Sequence, residues 1–404
     1  MPSAETGRPP ARTVVVLGGL TMFGPLSLDL YLPALPQLAD DLNASPSAAQ
    51  LSITACLVGL AVGQLLAGPL SDRLGRKRPL IMGLVAYLLA SIACALAPSV
   101  TVLIVLRLIQ GLGGAAGIVI SRAIARDLYS GSALMIFFSR LLLIAGLAPV
   151  LAPILGGQLS LIMSWRGIFG VLAGFGAVLL LAGWFGLTET LPPERRIVGG
   201  FRRTLQGYNT LVHDRFFVGC ALSAGLAGAT MFAYIAGSTF VLQRIYGMSP
   251  QGFSFVFGGI SLGLVAAAQI GARLALVWPL TRVLRLGLMI NLFGATALFV
   301  TVITRLPMGV LIGALVVMVC AIGLIFPTAN ALAMADYPDL AGTASSLQGL
   351  SQFVFGAIAA PLVGIAGEHT AVPLGIVTTG VSLLATASFT SLVLPVVRAR
   401  MRGH

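Results

Sequence analysis

Acidic side chains are scarce in this chain: Asp and Glu together number 12 in 404 residues, and charged residues of every kind make up 9%. A soluble globular domain usually carries about 25%, so a fold built around one core in water is excluded. The deficit runs the whole length, and 57% of the residues are hydrophobic. That is the composition of a chain mostly dissolved in lipid. Cysteine is also rare. Cys56, Cys94, Cys220 and Cys320 sit in apolar runs without CxxC spacing, which implies neither a disulfide nor a metal framework. The histidines are His213, His369 and His404, at loop edges or the chain end. No H-E-x-x-H, nucleophile elbow or Gly-rich phosphate loop accompanies them, which argues against an enzyme and against a nucleotide-driven machine. No ring of charges or filter-like run points to a channel. The net charge of +12 does not gather on one polar face, so nucleic acid is not the expected partner. The polar first thirteen residues lack an A-x-A cleavage pattern and read as an uncleaved tail.

What is present is apolar sequence in regular lengths. A hydrocarbon core of ~30 Å needs ~20 helical residues. Twelve such runs can be drawn, at 13–36, 47–70, 79–97, 101–121, 135–158, 167–187, 216–239, 252–276, 285–304, 308–332, 343–365 and 372–395. They are called spans one to twelve below. Gly (49) and Pro (22) are abundant, and both are tolerated in transmembrane helices. The longest polar stretch, 188–215, divides the chain six and six. The expected organisation is a tail (1–12), a six-helix bundle (13–187), a linker (188–215), a second bundle (216–395) and a C-terminal tail (396–404). With both ends placed in the cytoplasm, Lys and Arg concentrate on that side. Arg8, Arg12, Arg76, Lys77, Arg78, Arg202 and Arg203 are among them, whereas Arg166, Arg244 and Arg305 alone fall outside. This bias decides the orientation. Trp165, Trp184 and Trp278 fall near span ends, as an aromatic belt requires. Between the halves, Gly117–Gly156 lines up with Gly323–Gly364, with Pro153 matching Pro361. That is a faint internal repeat.

The segment after span two is the most specific pattern. It reads Gly68-x-Leu70-x-Asp72-Arg73-x-Gly75-Arg76-Lys77-x-x-Leu80. Gly68 is expected to let a neighbouring helix approach closely, and Gly75 to form a tight turn. Asp72 can pair with basic groups, making a charge lock that holds one conformation and releases in another. The segment resembles, position for position, the signature of the major facilitator superfamily. The resemblance implies an all-α membrane protein of twelve transmembrane helices in two pseudo-symmetric six-helix bundles, with conformational gating by Gly68, Asp72, Arg73, Gly75 and Arg76.

Among the acids, Asp29 alone falls clearly within a span, and the clearest buried base is Arg107 in span four. A charge there costs on the order of 2.5–3.5 kcal/mol even on insertion scales, so it marks function by default. Counted from their span ends, the two lie at nearly the same depth, near enough to act on each other. A carboxylate so placed can trade a proton for a substrate; the bland alternative is a static ion pair. Arg107 belongs to Leu103-x-x-x-Arg107-x-x-Gln110-Gly111-x-Gly113-Gly114-Ala115, similar to the family's span-four motif associated with proton coupling. Gln110 lies one turn away and can face the same cavity.

Span five reads Ala148-Pro149-x-x-Ala152-Pro153-x-x-Gly156-Gly157. It resembles the family's antiporter motif, with alanines in place of the first two glycines. Small residues still allow close contact, and the prolines bend the helix, so the resemblance adds Pro149, Pro153, Gly156 and Gly157 to the conformational-gating candidates. Span one ends Asp29-x-Tyr31-Leu-Pro33-Ala-Leu-Pro36, similar to the signature of the Bcr/CflA drug-resistance branch. The resemblance implies a proton-coupled antiporter exporting bicyclomycin- or chloramphenicol-like compounds from the bacterial cytoplasm through the inner membrane. It implies protons as coupling ion, no cofactor, and a monomer. The altered span-five motif leaves a nutrient or metabolite symporter of the same fold as the alternative. The proton-coupling candidates are Asp29, Arg107 and Gln110. The substrate-cavity candidates are Met22, Tyr31, Phe232, Tyr234, Asn330, Gln348 and Gln352, the last two sharing a helix face.

Overall fold

A computed structural model describes residues 11–196, 209–337, 340–367 and 370–402. The tail with Arg8 and the linker arginines Arg202 and Arg203 lie outside the described residues. Among the described residues there is no strand, and a helix stands at each of the twelve apolar runs. Nine helices are long and apolar enough to cross a membrane by themselves, among the described residues, and a bent pair makes a tenth. Spans five and eleven are the helices Gly131–Ile162 and Ala341–Leu362. The chain is a multi-pass membrane protein.

Several helices outrun their apolar stretches. Span two is Pro46–Leu74 and span four is Val100–Leu128. Hydropathy reports where lipid ends, but backbone hydrogen bonds carry the helix on past Asp72 and Arg126. Polar caps close some ends. Ser99 accepts the Val102 N–H at 3.4 Å, and the Asp214 carboxylate accepts Phe216 N–H at 3.0 Å and Phe217 N–H at 3.2 Å.

Span one is the irregular one. Thr13–Thr21 and Phe23–Asp41 meet at a 43° bend. Beyond Asp29 the α-helix gives way to a tighter turn at Leu32–Ala34 before Leu35–Asp41 resumes. Pro33 and Pro36 lack the N–H that a continuous helix would need there.

The chain forms two compact units, Met1–Ala44 with Ala55–Gly200, and Ser45–Thr54 with Phe201–His404. In the first, glycines set the crossing distances. A Cβ on Gly59 would overlap the Leu108 carbonyl, and one on Gly111 the Cys56 carbonyl, so spans two and four touch backbone to backbone. Spans three and four do the same at Gly83 and Gly113. In the second unit, buried Asn291 donates to Met318 O at 2.8 Å and accepts from Ser382 Oγ at 2.8 Å, tying spans nine, ten and twelve. The opening turns of span two belong to this unit because Ser47, Gln50 and Thr54 share a face. They donate to the carbonyls of Pro361 (3.1 Å), Ala236 (3.2 Å) and Ala357 (3.4 Å).

Candidate functional site

The first unit holds a fully buried guanidinium. Arg107 has no exposed surface, and neither has Gln110. The Arg107 Nη1 donates to Gln110 Oε1 at 2.5 Å and Nη2 donates to the Ser27 carbonyl at 2.7 Å. The Tyr31 ring lies 4.6 Å and the Phe169 ring 5.5 Å from the guanidinium carbon, a cation–π setting that suits a desolvated cation. Gln110 Nε2 donates to Ser91 Oγ at 2.7 Å, and Ser91 donates to the Tyr87 carbonyl at 2.7 Å. The Tyr87 hydroxyl meets Ser27 Oγ at 2.8 Å. The chain of contacts closes on the turn where it began, through spans one, three and four.

Asp29 is the last residue of the helix Phe23–Asp29, two residues beyond Ser27. It is 5% exposed, and its Oδ1 is buried with no hydrogen-bond partner. No hydrogen bond or ion pair joins it to Arg107, which takes the Ser27 carbonyl on the preceding turn instead. The structure therefore brings Arg107, Gln110 and Tyr31 together and does not join the Asp29 carboxylate to them. A buried carboxyl in that position can bind and release a proton without first breaking an ion pair. Tyr31, expected along a substrate cavity, is fully buried against Arg107 and Phe169. Met22 does line a cavity of about 380 Å³, with Leu26, Leu30, Leu155, Val171 and Phe175 among the other walls.

Span five runs as one helix through Pro149 and Pro153. Gly156 is where it meets span one: a Cβ there would overlap the Leu30 carbonyl oxygen. Gly157 beside it is buried.

A second cluster sits at the far end of the same unit. Arg76 reaches Asp72 through Nη1, Ser71 Oγ at 2.9 Å, and Asp127 through Nε at 2.9 Å. Glu189 accepts the backbone N–H of Arg76 at 2.8 Å and of Lys77 at 3.2 Å, which caps the start of span three. Burial pushes the Glu189 carboxyl up. The N–H groups of Leu191, Arg76 and Lys77 and the Arg196 charge outweigh that and hold it below the usual glutamate range. Gly75 has φ +90°, and a Cβ there would overlap Glu189 Oε2. The turn thus needs glycine for two reasons. The expected close approach at Gly68 is not found, since a Cβ there would meet only Val119 at 3.9 Å, an ordinary contact. Arg73 is exposed.

In the second unit the candidates fall on spans seven, ten and eleven. Phe232 packs on Phe353 at 6.0 Å and fills the space over Gly356. Gln352 lies against Gly228. Tyr234 stacks on Phe257 at 5.0 Å, so it serves helix packing there. Gln348 is 1% exposed with neither amide atom partnered. Asn330 is half-buried.

Sequence reasoning missed Ser27, Tyr87, Ser91 and the roles of Asp127 and Glu189. Tyr87 and Ser91 were findable: they are polar groups four residues apart in an otherwise apolar span. Asp127 and Glu189 carried no signal beyond lying near basic loops.

The Major Facilitator Superfamily pattern matches residues 17–361. The chain is 38% identical over 386 residues to an uncharacterized MFS-type transporter, YdgK, of Bacillus subtilis (strain 168), covering 95% of this chain and 96% of that one. It is 30% identical over 361 residues to a bicyclomycin resistance protein homolog of Haemophilus influenzae, covering 89% and 91%. Among solved structures it is similar to a point mutant of the nucleoside transporter NupG, with TM-score 0.75 and 13% identity over 94% of this chain and 99% of that one. With the loop after span two, the span-four motif and an all-helical fold in agreement, the chain belongs to the major facilitator superfamily, in its Bcr/CflA drug-resistance branch, and is a transporter.

Proposed function

We propose that this transporter exports small organic antibiotics in exchange for protons, working as a monomer in the bacterial inner membrane with both termini in the cytoplasm and without a cofactor. The observation that carries the reading is the Asp29 carboxyl, buried in the first unit with Oδ1 unpartnered while the Arg107 guanidinium is held by other groups. Asp29 takes a proton from outside and yields it inside as the substrate binding site alternates between faces. Each charge moved gains ~2.3 kcal/mol per 100 mV of membrane potential. The 30% identity to a bicyclomycin resistance protein homolog supports a drug as the cargo.

The experiment is efflux of bicyclomycin- and chloramphenicol-like compounds from energised cells, wild type against Asp29→Asn, with a protonophore control and matched expression. Loss of gradient-driven export in the variant is expected. Unchanged export would remove Asp29 from the coupling role. Alanines at 148 and 152 in the span-five motif favour a second reading, a metabolite symporter, and uptake under the same gradient would select it.

A further inference from the structure

Resting on that reading of Asp29 and Arg107, we propose that Ser91 and Tyr87 of span three are positioning residues for proton coupling: they hold the Arg107 guanidinium on its two acceptors, Gln110 Oε1 and the Ser27 carbonyl.

The first support of the guanidinium is the Gln110 side chain. A primary amide presents an acceptor on one side and two donors on the other. Its Oε1 faces Arg107, which is the orientation a cation requires. Reversed, it would set an NH₂ group against the guanidinium, donor against donor. The group that chooses between the two orientations is Ser91. Its hydroxyl proton is committed to the Tyr87 carbonyl at 2.7 Å, so its oxygen lone pairs are left to accept Gln110 Nε2 at 2.7 Å. Ser91 is completely buried, and nothing in a bilayer interior can replace it as the acceptor.

The second support of the guanidinium is the Ser27 carbonyl, and span three fixes that as well. The Tyr87 hydroxyl and Ser27 Oγ are 2.8 Å apart, one turn along span three from Ser91. Tyr87 is itself immobilised. A Cβ on Gly113 would stand 2.7 Å from its backbone nitrogen, and one on Gly176 would stand 2.9 Å from its ring. The Phe23 ring packs 4.3 Å from it. The glycines at 113 and 176 thus leave room for a tyrosine whose two ends serve the two supports of Arg107. An arginine deprived of either support keeps its charge and its length. It is then able to turn away from the orientation that the two acceptors together impose.

The test compares Ser91→Ala, Ser91→Thr and Tyr87→Phe with wild type in proteoliposomes. Two transport modes are measured: efflux driven by an imposed proton gradient, and drug–drug exchange at equal pH on both sides. Ser91→Ala is expected to lower driven efflux at least about tenfold, equivalent to ~1.4 kcal/mol, while exchange stays near wild type. Ser91→Thr, which keeps the hydroxyl, is expected to restore driven efflux. Tyr87→Phe, which unties Ser27 alone, is expected to fall between. A spectroscopic readout stands apart from transport. In arginine-labelled protein, with Arg107→Lys used to assign the signal, a held guanidinium gives separate Nη resonances. Ser91→Ala is expected to merge them as the group begins to rotate. Separate resonances in Ser91→Ala would overturn the proposal, as would equal loss of both transport modes without rescue by threonine. A wild type whose efflux ignores the protonophore would sink the proton-antiport reading, and the resonance comparison would still decide whether Ser91 positions Arg107.

Discussion

Arg107 donates to the backbone carbonyl of Ser27 at 2.7 Å and forms no ion pair with Asp29 two residues further on. The geometry separates two jobs that a salt bridge would merge. The positive charge is stabilised by dipoles and π faces, and the carboxyl stays outside that ring of contacts, as the proposed proton exchange at Asp29 requires.

That arrangement depends on the shape of the guanidinium. Its two Nη groups reach acceptors on different spans, Gln110 Oε1 and Ser27 O. A lysine keeps the charge but has a single compact head that cannot hold both. Arg107→Lys is expected to cut gradient-driven efflux by about tenfold or more, since a hydrogen bond to a charged group contributes ~1.5–3 kcal/mol. Vesicle transport with quantified protein level measures it.

Close packing gives a stability contrast within one helix. A Cβ at Gly156 would overlap the Leu30 carbonyl, a backbone atom that cannot swing aside, whereas one at Gly146 meets nothing within 4 Å. Gly156→Ala is expected to destabilise by about 1–3 kcal/mol, and Gly146→Ala to be neutral or slightly stabilising. Thermal unfolding in detergent compares them. Equal midpoints would contradict the packing of span five on span one at this point.

Glu189 gives a pH dependence with a definite sign. Its carboxyl titrates below the usual glutamate range because three N–H groups and Arg196 outweigh its burial. A depressed carboxylate stabilises the folded state above its unfolded value of about 4.3, and that contribution is lost as the pH falls through the lower folded value. Glu189→Ala is expected to lower the unfolding midpoint modestly at neutral pH, as befits a largely exposed group. The gap should close as the pH drops into the acid range. Melting curves of both proteins from neutral to acid pH test this, and a gap that widens on acidification would reverse the assignment.

Fold and site were legible to different degrees. The apolar runs announced the helices, because a bilayer requires ~20 residues of self-satisfied backbone and tolerates little else. The boundaries were less visible, since the helix at Pro46–Leu74 continues through Asp72 into the polar loop. Of the site, Asp29, Arg107 and Gln110 stood out because charge and amide groups are costly inside a membrane. Their partners did not. Tyr87 and Ser91 show as polar groups four apart in an apolar span, but nothing in the sequence ties them to Gln110 or Ser27, and Asp127 and Glu189, far from Arg76 in the chain, look like ordinary loop acids.

By itself the sequence determined that this protein spans a membrane many times, that its superfamily signature follows span two, and that a carboxyl and a guanidinium are carried into the apolar region. Those are properties of composition and spacing along one dimension. The tertiary structure decided that Arg107 binds Ser27 and Gln110 instead of Asp29, that span three orients that pair, and that Glu189 caps the helix after Gly75. Which face each helix turns to its neighbour depends on how glycines let backbones approach and on where prolines break span one. Hydropathy along the chain records neither rotation nor approach.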